Sequence, residues 1–304
     1  MLTAGLGTRL RPLTDVRAKP AIPVAGEPLI RRIARWLASQ GITDLVLNLH
    51  HRPETIAAVL GDGCDLGVRV RYSWEQPHLL GSAGGPRLAL PLIGEDPFAI
   101  VNGDTLTDLD VAELAAAHDA SGALVTLALV PNRNFHRYGG VHLDAAGCVV
   151  RFSRPGLSAE GSYHYIGVQM THAAAFRDLA ANEPANSVGG VYDALMAGRP
   201  GTVRGYVCDA DFVDIGTVAD YWRTSERLLA PGGPRVARGA RIDPSARVTG
   251  SIVWDDVTVG RNATIDTCIV TDRVVVPDDA AYHRVILRHD ARTGDVVATP
   301  LVVD

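Results

Sequence analysis

Leu2-Thr3-Ala4-Gly5-Leu6-Gly7-Thr8-Arg9-Leu10-Arg11-Pro12 opens the chain, and Lys19-Pro20 follows a few residues on. Gly5 and Gly7 allow a tight turn with exposed backbone N–H groups. Successive N–H groups of that kind make a concavity that favours anions. Thr8 adds a hydroxyl, Arg9 and Arg11 add forked guanidinium donors, and Lys19 adds a compact positive charge. The stretch reads as a cradle for a polyphosphate. Two other phosphate loops do not fit it. A dinucleotide fingerprint needs a third glycine where Leu10 stands, and a P-loop needs Gly-Lys-Ser/Thr after four residues.

Outward from this stretch, short apolar runs alternate with helical patterns. Leu29, Ile30, Ile33, Trp36 and Leu37 fall at helical spacing, ended by Gly41. Strands are expected at 45–49, 68–72, 98–101 and 124–130, with helices opening at Pro53, over 83–90 and over 111–118. This rhythm predicts an α/β fold with a doubly wound, mainly parallel, Rossmann-like sheet. Beyond Val130 the rhythm changes. Asp144-Ala145-Ala146-Gly147 marks a hairpin, strands are expected at 163–170 and 203–208, and helices over 173–181, 191–197 and 218–229.

After Pro231-Gly232-Gly233-Pro234, aliphatic residues recur at five- or six-residue steps: Val236, Ile242, Val248, Val253, Val259, Ile265, Val270 and Val276. This resembles the hexapeptide pattern of a left-handed parallel β-helix, in which each aliphatic fills a triangular coil. So few coils need a partner surface, which implies packing on the large domain or a homo-oligomer formed through the repeat.

Composition bounds the function. The 304 residues carry a net charge of -5, which disfavours bulk nucleic-acid binding. No apolar run approaches the ~20 residues of a membrane span, and neither a membrane span nor a signal peptide is expected. Cys64, Cys148, Cys208 and Cys268 are scattered singly, read as buried reduced thiols of a cytoplasmic protein. His50-His51 read as structural or surface residues. Only Met1 and Leu2 precede the glycine-rich segment, so either the first strand is short or the start lies upstream.

The opening stretch resembles the signature of the sugar-1-phosphate nucleotidyltransferases, and further matches run through most of the chain. The resemblance implies a catalytic domain at 1–230, a linker at 231–235, and a short β-helix with its tail at 236–304. It implies metal-dependent joining of a nucleoside triphosphate to a sugar 1-phosphate, with Ala4, Gly5, Gly7 and Thr8 at the nucleotide and Arg9 and Lys19 as the catalytic cations. Asp104, closing the Val101-Asn102-Gly103-Asp104 run, and Asp214, in Phe212-Val213-Asp214-Ile215-Gly216, resemble the two ligands of Mg²⁺. Glu75 and Gly81-Ser82-Ala83-Gly84-Gly85 resemble the segment that receives the base. Gly139, after Tyr138, matches the glycine beside the sugar, and the strand from His164 lies under that pocket. The family's usual Glu-Lys-Pro is here Ser153-Arg154-Pro155. Arg154 can still hold a phosphate, but Ser153 cannot replace a carboxylate.

The segment at Glu75 resembles the guanylyl and uridylyl branches of the family, and the short tail resembles that of the guanylyltransferases that act on mannose 1-phosphate, so GTP with mannose 1-phosphate is expected first. Residues 61–104 also resemble a uridylyltransferase acting on N-acetylmuramic acid 1-phosphate, so UTP stands second, with N-acetylmuramic acid 1-phosphate or glucose 1-phosphate as its sugar. A non-catalytic NDP-sugar-binding homologue would show losses in the cradle or at the carboxylates, and none is seen. An acyltransferase would need a longer repeat around a histidine such as His283 or His289. A pure trimerisation module would not need the cradle.

Overall fold

Val125–Pro131 is the spine of the first sheet, and its first six residues are all buried. A strand covered on both faces requires this. Val203–Val207 pairs with it in parallel on one side. On the other side Tyr163–Thr171 pairs antiparallel, and Phe98–Val101 pairs antiparallel with that strand in turn. Asp44–Leu49 and Arg69–Trp74 form a second, parallel pair. Leu2 bridges in parallel to both Asn48 and Asn102. The sheet is thus wound as the alternation of strands and helices predicts, with Tyr163–Thr171 running against its neighbours. The chain reverses there because it returns through the hairpin of Gly140–Leu143 and Val149–Ser153.

The computed structural model describes residues 1–94, 97–229, 236–237, 239–290 and 292–303. They divide into two units: Met1–Gly5, Ile33–Pro53 and Leu60–Asp214 in one, and Leu6–Arg32, Glu54–Val59 and Ile215–Asp304 in the other. The expected linker at 231–235 lies outside the described residues. None of the described helices is long and apolar enough to cross a membrane.

In the first unit, Gly167 at φ +84° breaks the strand Tyr163–Thr171 with a bulge between Tyr165 and Gln169. A Cβ there would lie 2.7 Å from Asn102 Nδ2, so only glycine permits the approach. Asn102 N–H donates to Gly167 O at 2.8 Å. The bulge therefore seats the turn that carries Asp104, a common use of bulges beside functional sites. A cavity of about 530 Å³ touches Leu45, Val46, Ile100, Val101 and Met170 of this unit.

The expected helix over 173–181 is only a three-residue turn, Ala173–Ala175. So short a segment has little helical stability of its own, and Phe176 is fully buried in the sheet core instead. The cysteines also differ from expectation: only Cys268 is buried, Cys148 and Cys208 are half-buried, and Cys64 is exposed.

In the second unit, Pro23–Val24 and Glu27–Pro28 make a small hairpin turned by Ala25 and Gly26, both at positive φ. The helix Val218–Leu228 begins with a capping box between Thr217 and Asp220. The C-terminal repeat is a three-sided parallel β-helix. Arg241 pairs with Thr258 and Thr258 with Val275, Arg247 with Thr264, and Ile252 with Ile269. One coil therefore takes 17 residues, because one side is a residue shorter than the other two. Val253, Val259, Ile265, Val270, Val276 and Leu287 stack inside it. At the corners stand left-handed residues such as Asp256, Asn262, Thr267 and Arg273. Val296–Pro300 turns back antiparallel along Val285–His289 and ends the parallel stack.

Candidate active site

Gly7 sets the shape of the cradle. It sits at φ +62°, and a Cβ would lie 2.7 Å from Thr14 Cγ2 and 3.3 Å from Lys19 Cβ. Its carbonyl accepts from Leu10 N–H and from Thr14 Oγ1, both at 2.9 Å. Three short 3₁₀ turns follow, Thr8–Leu10, Leu13–Asp15 and Lys19–Ala21. Leu10, Leu13 and Pro20 are buried, while Thr8, Arg9 and Arg11 are exposed and Lys19 is half-buried. Burying the apolar members turns the cationic ones outward. Arg11 forms an exposed ion pair with Asp15 at 3.4 Å, worth little by itself. In the first unit, Ala4 is buried and Gly5 is exposed, with nothing within 4 Å of a Cβ placed on Gly5.

The backbone brings Asp214 beside the turn that carries Asp104. Phe212–Asp214 pairs antiparallel with Thr105–Thr107, and Asp214 stands opposite Thr105, the neighbour of Asp104. Thr105 Oγ1 donates to Asp104 Oδ1 at 3.4 Å. Burial and the charges of Tyr192 and Asp104 hold the Tyr165 hydroxyl well above its usual range, so it stays protonated and donates to Gln169 Oε1 at 2.8 Å. Among the described residues no group of three or more carboxylates, imidazoles or thiols is placed to hold a metal. Two hard oxygens, completed by phosphate and water, are the donor set that suits Mg²⁺.

Glu75 is fully buried. Its Oε1 accepts from Asn48 Nδ2 at 2.6 Å and its Oε2 accepts from Leu80 N–H at 2.7 Å. Asn48 Oδ1 in turn accepts from Thr3 N–H at 2.6 Å, and Thr3 Oγ1 donates to Asn48 O. Glu75 therefore braces the start of the helix Gly81–Ile93 through Leu80, as part of a buried polar chain that sequence reading missed. The small residues after it also serve packing. Ala83 N–H and Gly84 N–H both donate to Ala185 O, at 2.9 and 3.2 Å. A Cβ on Gly81 would lie 2.8 Å from Ala185 O, and one on Gly84 2.6 Å from Glu183 O. Ser82 Oγ accepts from Ser187 N–H at 2.9 Å. The segment 183–187 thus lies directly on the first turn of the helix Gly81–Ile93, a neighbour that no local pattern announced.

Gly139 lies against the second hairpin strand, where a Cβ would sit 2.8 Å from Ser153 O. Arg154, next along, is exposed. Tyr138, His164 and Phe212 form an aromatic cluster, with ring centres 4.1 Å apart for Tyr138–His164 and 4.9 Å for His164–Phe212. They line a cavity of about 330 Å³ together with Asn132, Asp209 and Asp211. Burial pulls His164 down to about 4, with the nearby Arg137 charge acting in the same direction against a hydrogen bond that the imidazole donates to the Gly139 backbone. The imidazole is neutral across the physiological range.

The whole chain resembles known proteins. Residues 1–230 match the nucleotidyl transferase family, and residues 235–301 match the GlmU-like, C-terminal hexapeptide family. Mannose-1-phosphate guanylyltransferase of Mycobacterium tuberculosis is 29% identical over 295 residues, covering 88% of this chain and 82% of that protein. D-glycero-alpha-D-manno-heptose 1-phosphate guanylyltransferase of Aneurinibacillus thermoaerophilus is 30% identical over 228 residues, 75% of this chain and 96% of that one. N-acetylmuramate alpha-1-phosphate uridylyltransferase of Neisseria meningitidis is 47% identical over a shorter 110 residues, 36% of this chain and 48% of that one. The crystal structure of HddC from Yersinia pseudotuberculosis superposes with a TM-score of 0.65 at 23% identity, over 75% of this chain and 97% of that one, and shares the fold. The chain belongs to the nucleotidyl transferase family, and within it to the sugar-1-phosphate nucleotidyltransferases.

Proposed function

We propose that this enzyme transfers a guanylyl group from GTP to mannose 1-phosphate, giving GDP-mannose and pyrophosphate. The similarity to the Mycobacterium tuberculosis guanylyltransferase carries this reading, because it runs through both the catalytic region and the repeat. UTP is the second reading, supported by the higher identity to the Neisseria meningitidis uridylyltransferase over a third of the chain.

The chemistry needs little from the protein beyond placement. A phosphate oxygen of the sugar 1-phosphate attacks the α-phosphorus, and the bond from that phosphorus to the β-phosphate oxygen breaks. The electron pair leaves with pyrophosphate. A phosphomonoester has its second pKa near about 6, so the nucleophile is already ionised at neutral pH and no general base is required. The neutral His164 and the protonated Tyr165 are consistent with that. The work left is orientation and charge neutralisation along an in-line path. Arg9 and Lys19 hold the triphosphate, with the backbone of Ala4, Gly5, Gly7 and Thr8 around it. Lys19 neutralises charge on the departing pyrophosphate. Arg154 orients the sugar phosphate beside Gly139. Gly81, Ser82, Ala83 and Gly84 border the base, held in shape by Glu75.

The family is generally metal-dependent, and we assign Asp104 and Asp214 to Mg²⁺. When bound, the ion neutralises charge on the phosphate oxygens of both substrates. We also assign a homo-oligomer through the β-helix, which the mass in solution checks. Pyrophosphate release measured across a matrix of nucleoside triphosphates and sugar 1-phosphates tests the substrates. The highest kcat/KM for GTP with mannose 1-phosphate supports the first reading, and a highest value for UTP replaces it with the second.

A further inference from the structure

Arg17 lies in the cradle stretch, two residues before Lys19, yet its side chain is only 9% exposed. A buried guanidinium is costly unless its donors are met. Here Nη1 donates to Ala21 O of the turn at 3.4 Å, and the other donors are met by two carboxylates. Nε donates to Asp272 Oδ2 at 2.6 Å and Nη2 donates to Asp272 Oδ1 at 2.7 Å, a bidentate fork. Nη2 also donates to Asp255 Oδ2 at 2.5 Å. Asp255 and Asp272 are equivalent positions on successive coils of the β-helix, and Asp255 N–H donates to Asp272 Oδ1 at 3.2 Å. The guanidinium carbon lies 5.6 Å from the ring centre of Trp254, which is fully buried.

A second tie meets the same stretch from its far end. Trp254 Nε1 donates to the Tyr221 hydroxyl at 2.9 Å, and that hydroxyl donates to Pro23 O at 2.9 Å. Arg17 and Pro23 flank the turn Lys19–Ala21. Both are thus fixed by the two aspartates and by Trp254 with Tyr221. Removing one partner of such a pair leaves a buried charge unmatched, so the contact is a poor device for plain stability but a good one for register.

We infer that Arg17 is a positioning residue through which the C-terminal β-helix, by Asp255 and Asp272, sets the turn that presents Lys19. It rests on the proposal that Lys19 binds the triphosphate. The repeat is then part of the nucleotide site and not only an assembly module. Displacement of a reacting group by about 1 Å can cost about 10²-fold in rate, which sets the expected effect.

The test uses the full-length chain, with GTP and mannose 1-phosphate or the pair ranked first by the matrix above. Arg17→Met, Arg17→Lys, Asp272→Asn, the Asp255→Asn/Asp272→Asn double and the triple variant with Arg17→Met are compared with Lys19→Ala. Arg17→Met and Asp272→Asn are expected to lower kcat by about 10–100-fold, with KM for the sugar phosphate within about twofold of wild type. The triple variant should be no worse than Arg17→Met alone, since one device is removed in each, and Arg17→Lys should recover part of the loss. Wild-type kcat in a folded Asp272→Asn enzyme, or losses that simply add in the triple variant, would overturn the inference. If Arg17→Met does not fold, Asp272→Asn and the charge-free triple variant decide by the same criteria. Wild-type kcat in Lys19→Ala would instead overturn the reading of the cradle itself, whatever the Arg17 variants do.

Discussion

Gly7→Ala tests whether the shape of the cradle governs the chemistry. At φ +62° an alanine pays about 1–2 kcal/mol for the left-handed conformation. Its Cβ would also lie 2.7 Å from Thr14 Cγ2, well inside the 3.4 Å at which ordinary contact begins. Something must therefore move by roughly 0.7 Å, the difference between those two distances. Thr14 cannot simply rotate away, because its Oγ1 donates to Gly7 O at 2.9 Å. Loss of that bond would add about 0.5–1.5 kcal/mol. The expected destabilisation is about 2–3 kcal/mol, or on the order of 5–10 °C in Tm for a chain of this size. Lys19 Cβ is the next atom in the path at 3.3 Å, so the shift reaches the cation we assign to the triphosphate. A displacement of this order should lower kcat by roughly 10–100-fold. Steady-state pyrophosphate release and thermal melting are measured together. Thr14→Ser in the same chain removes the methyl group that the new Cβ meets but keeps the hydroxyl. The double variant should regain part of both losses while keeping the φ cost. A Gly7→Ala enzyme with lowered Tm and unchanged kcat refutes the reasoning, because the loop would then matter for stability alone.

Asp104→Asn and Asp214→Asn should each remove most turnover at unchanged melting temperature. Near wild-type rates at limiting Mg²⁺ in either variant would show that the pair does not hold the ion. His164 titrates at about 4 when folded against an ordinary 6.5, so the unfolded chain binds its proton first as pH falls. Its contribution is complete above pH 6.5 and is lost between pH 6.5 and 4, up to about 3 kcal/mol. Melting curves of His164→Gln should lack that part of the acid sensitivity. Gly85→Ala places a Cβ 2.4 Å from Glu75 Oε1 and 2.7 Å from Asn48 Nδ2. It should cost about 2–4 kcal/mol by breaking a buried charged hydrogen bond, and a melting temperature within 2 °C of wild type would refute that. Ending the chain after residue 229 removes Trp254 from Tyr221 and both aspartates from Arg17. The shortened enzyme should melt lower and lose turnover, and unchanged melting would make the repeat a passive tail.

Local signals carried most of the fold. The helix Leu29–Ser39 follows from four buried aliphatics at helical spacing, Leu29, Ile30, Ile33 and Leu37. The strand Val125–Pro131 follows from an apolar run interrupted only by Thr126. The β-helix was legible because its inward residues repeat at five and six, and the five-residue step is the short side of the 17-residue coil. The glycines, arginines and lysine of the candidate cradle stand close in sequence, so the proposal for them could be made from one stretch.

What stayed hidden was set by partners far along the chain. Glu75 reads as a ligand-facing carboxylate until Asn48, 27 residues earlier, is seen beneath it. The same carboxylate type, in the same sort of loop, would look identical in sequence whether it met a base or a buried amide. Gly81 and Gly84 are also needed for packing, because a Cβ on either would meet the backbone of Ala185 or Glu183. Arg17 shows the problem most sharply. Beside Arg9, Arg11 and Lys19 it is one more cation in a basic stretch, and only position separates a phosphate ligand from a structural one. Its partners lie 238 and 255 residues away. Burial decides the case: a guanidinium already satisfied by two carboxylates has no charge to spare for a nucleotide, so its influence on the reaction has to pass through the turn it holds.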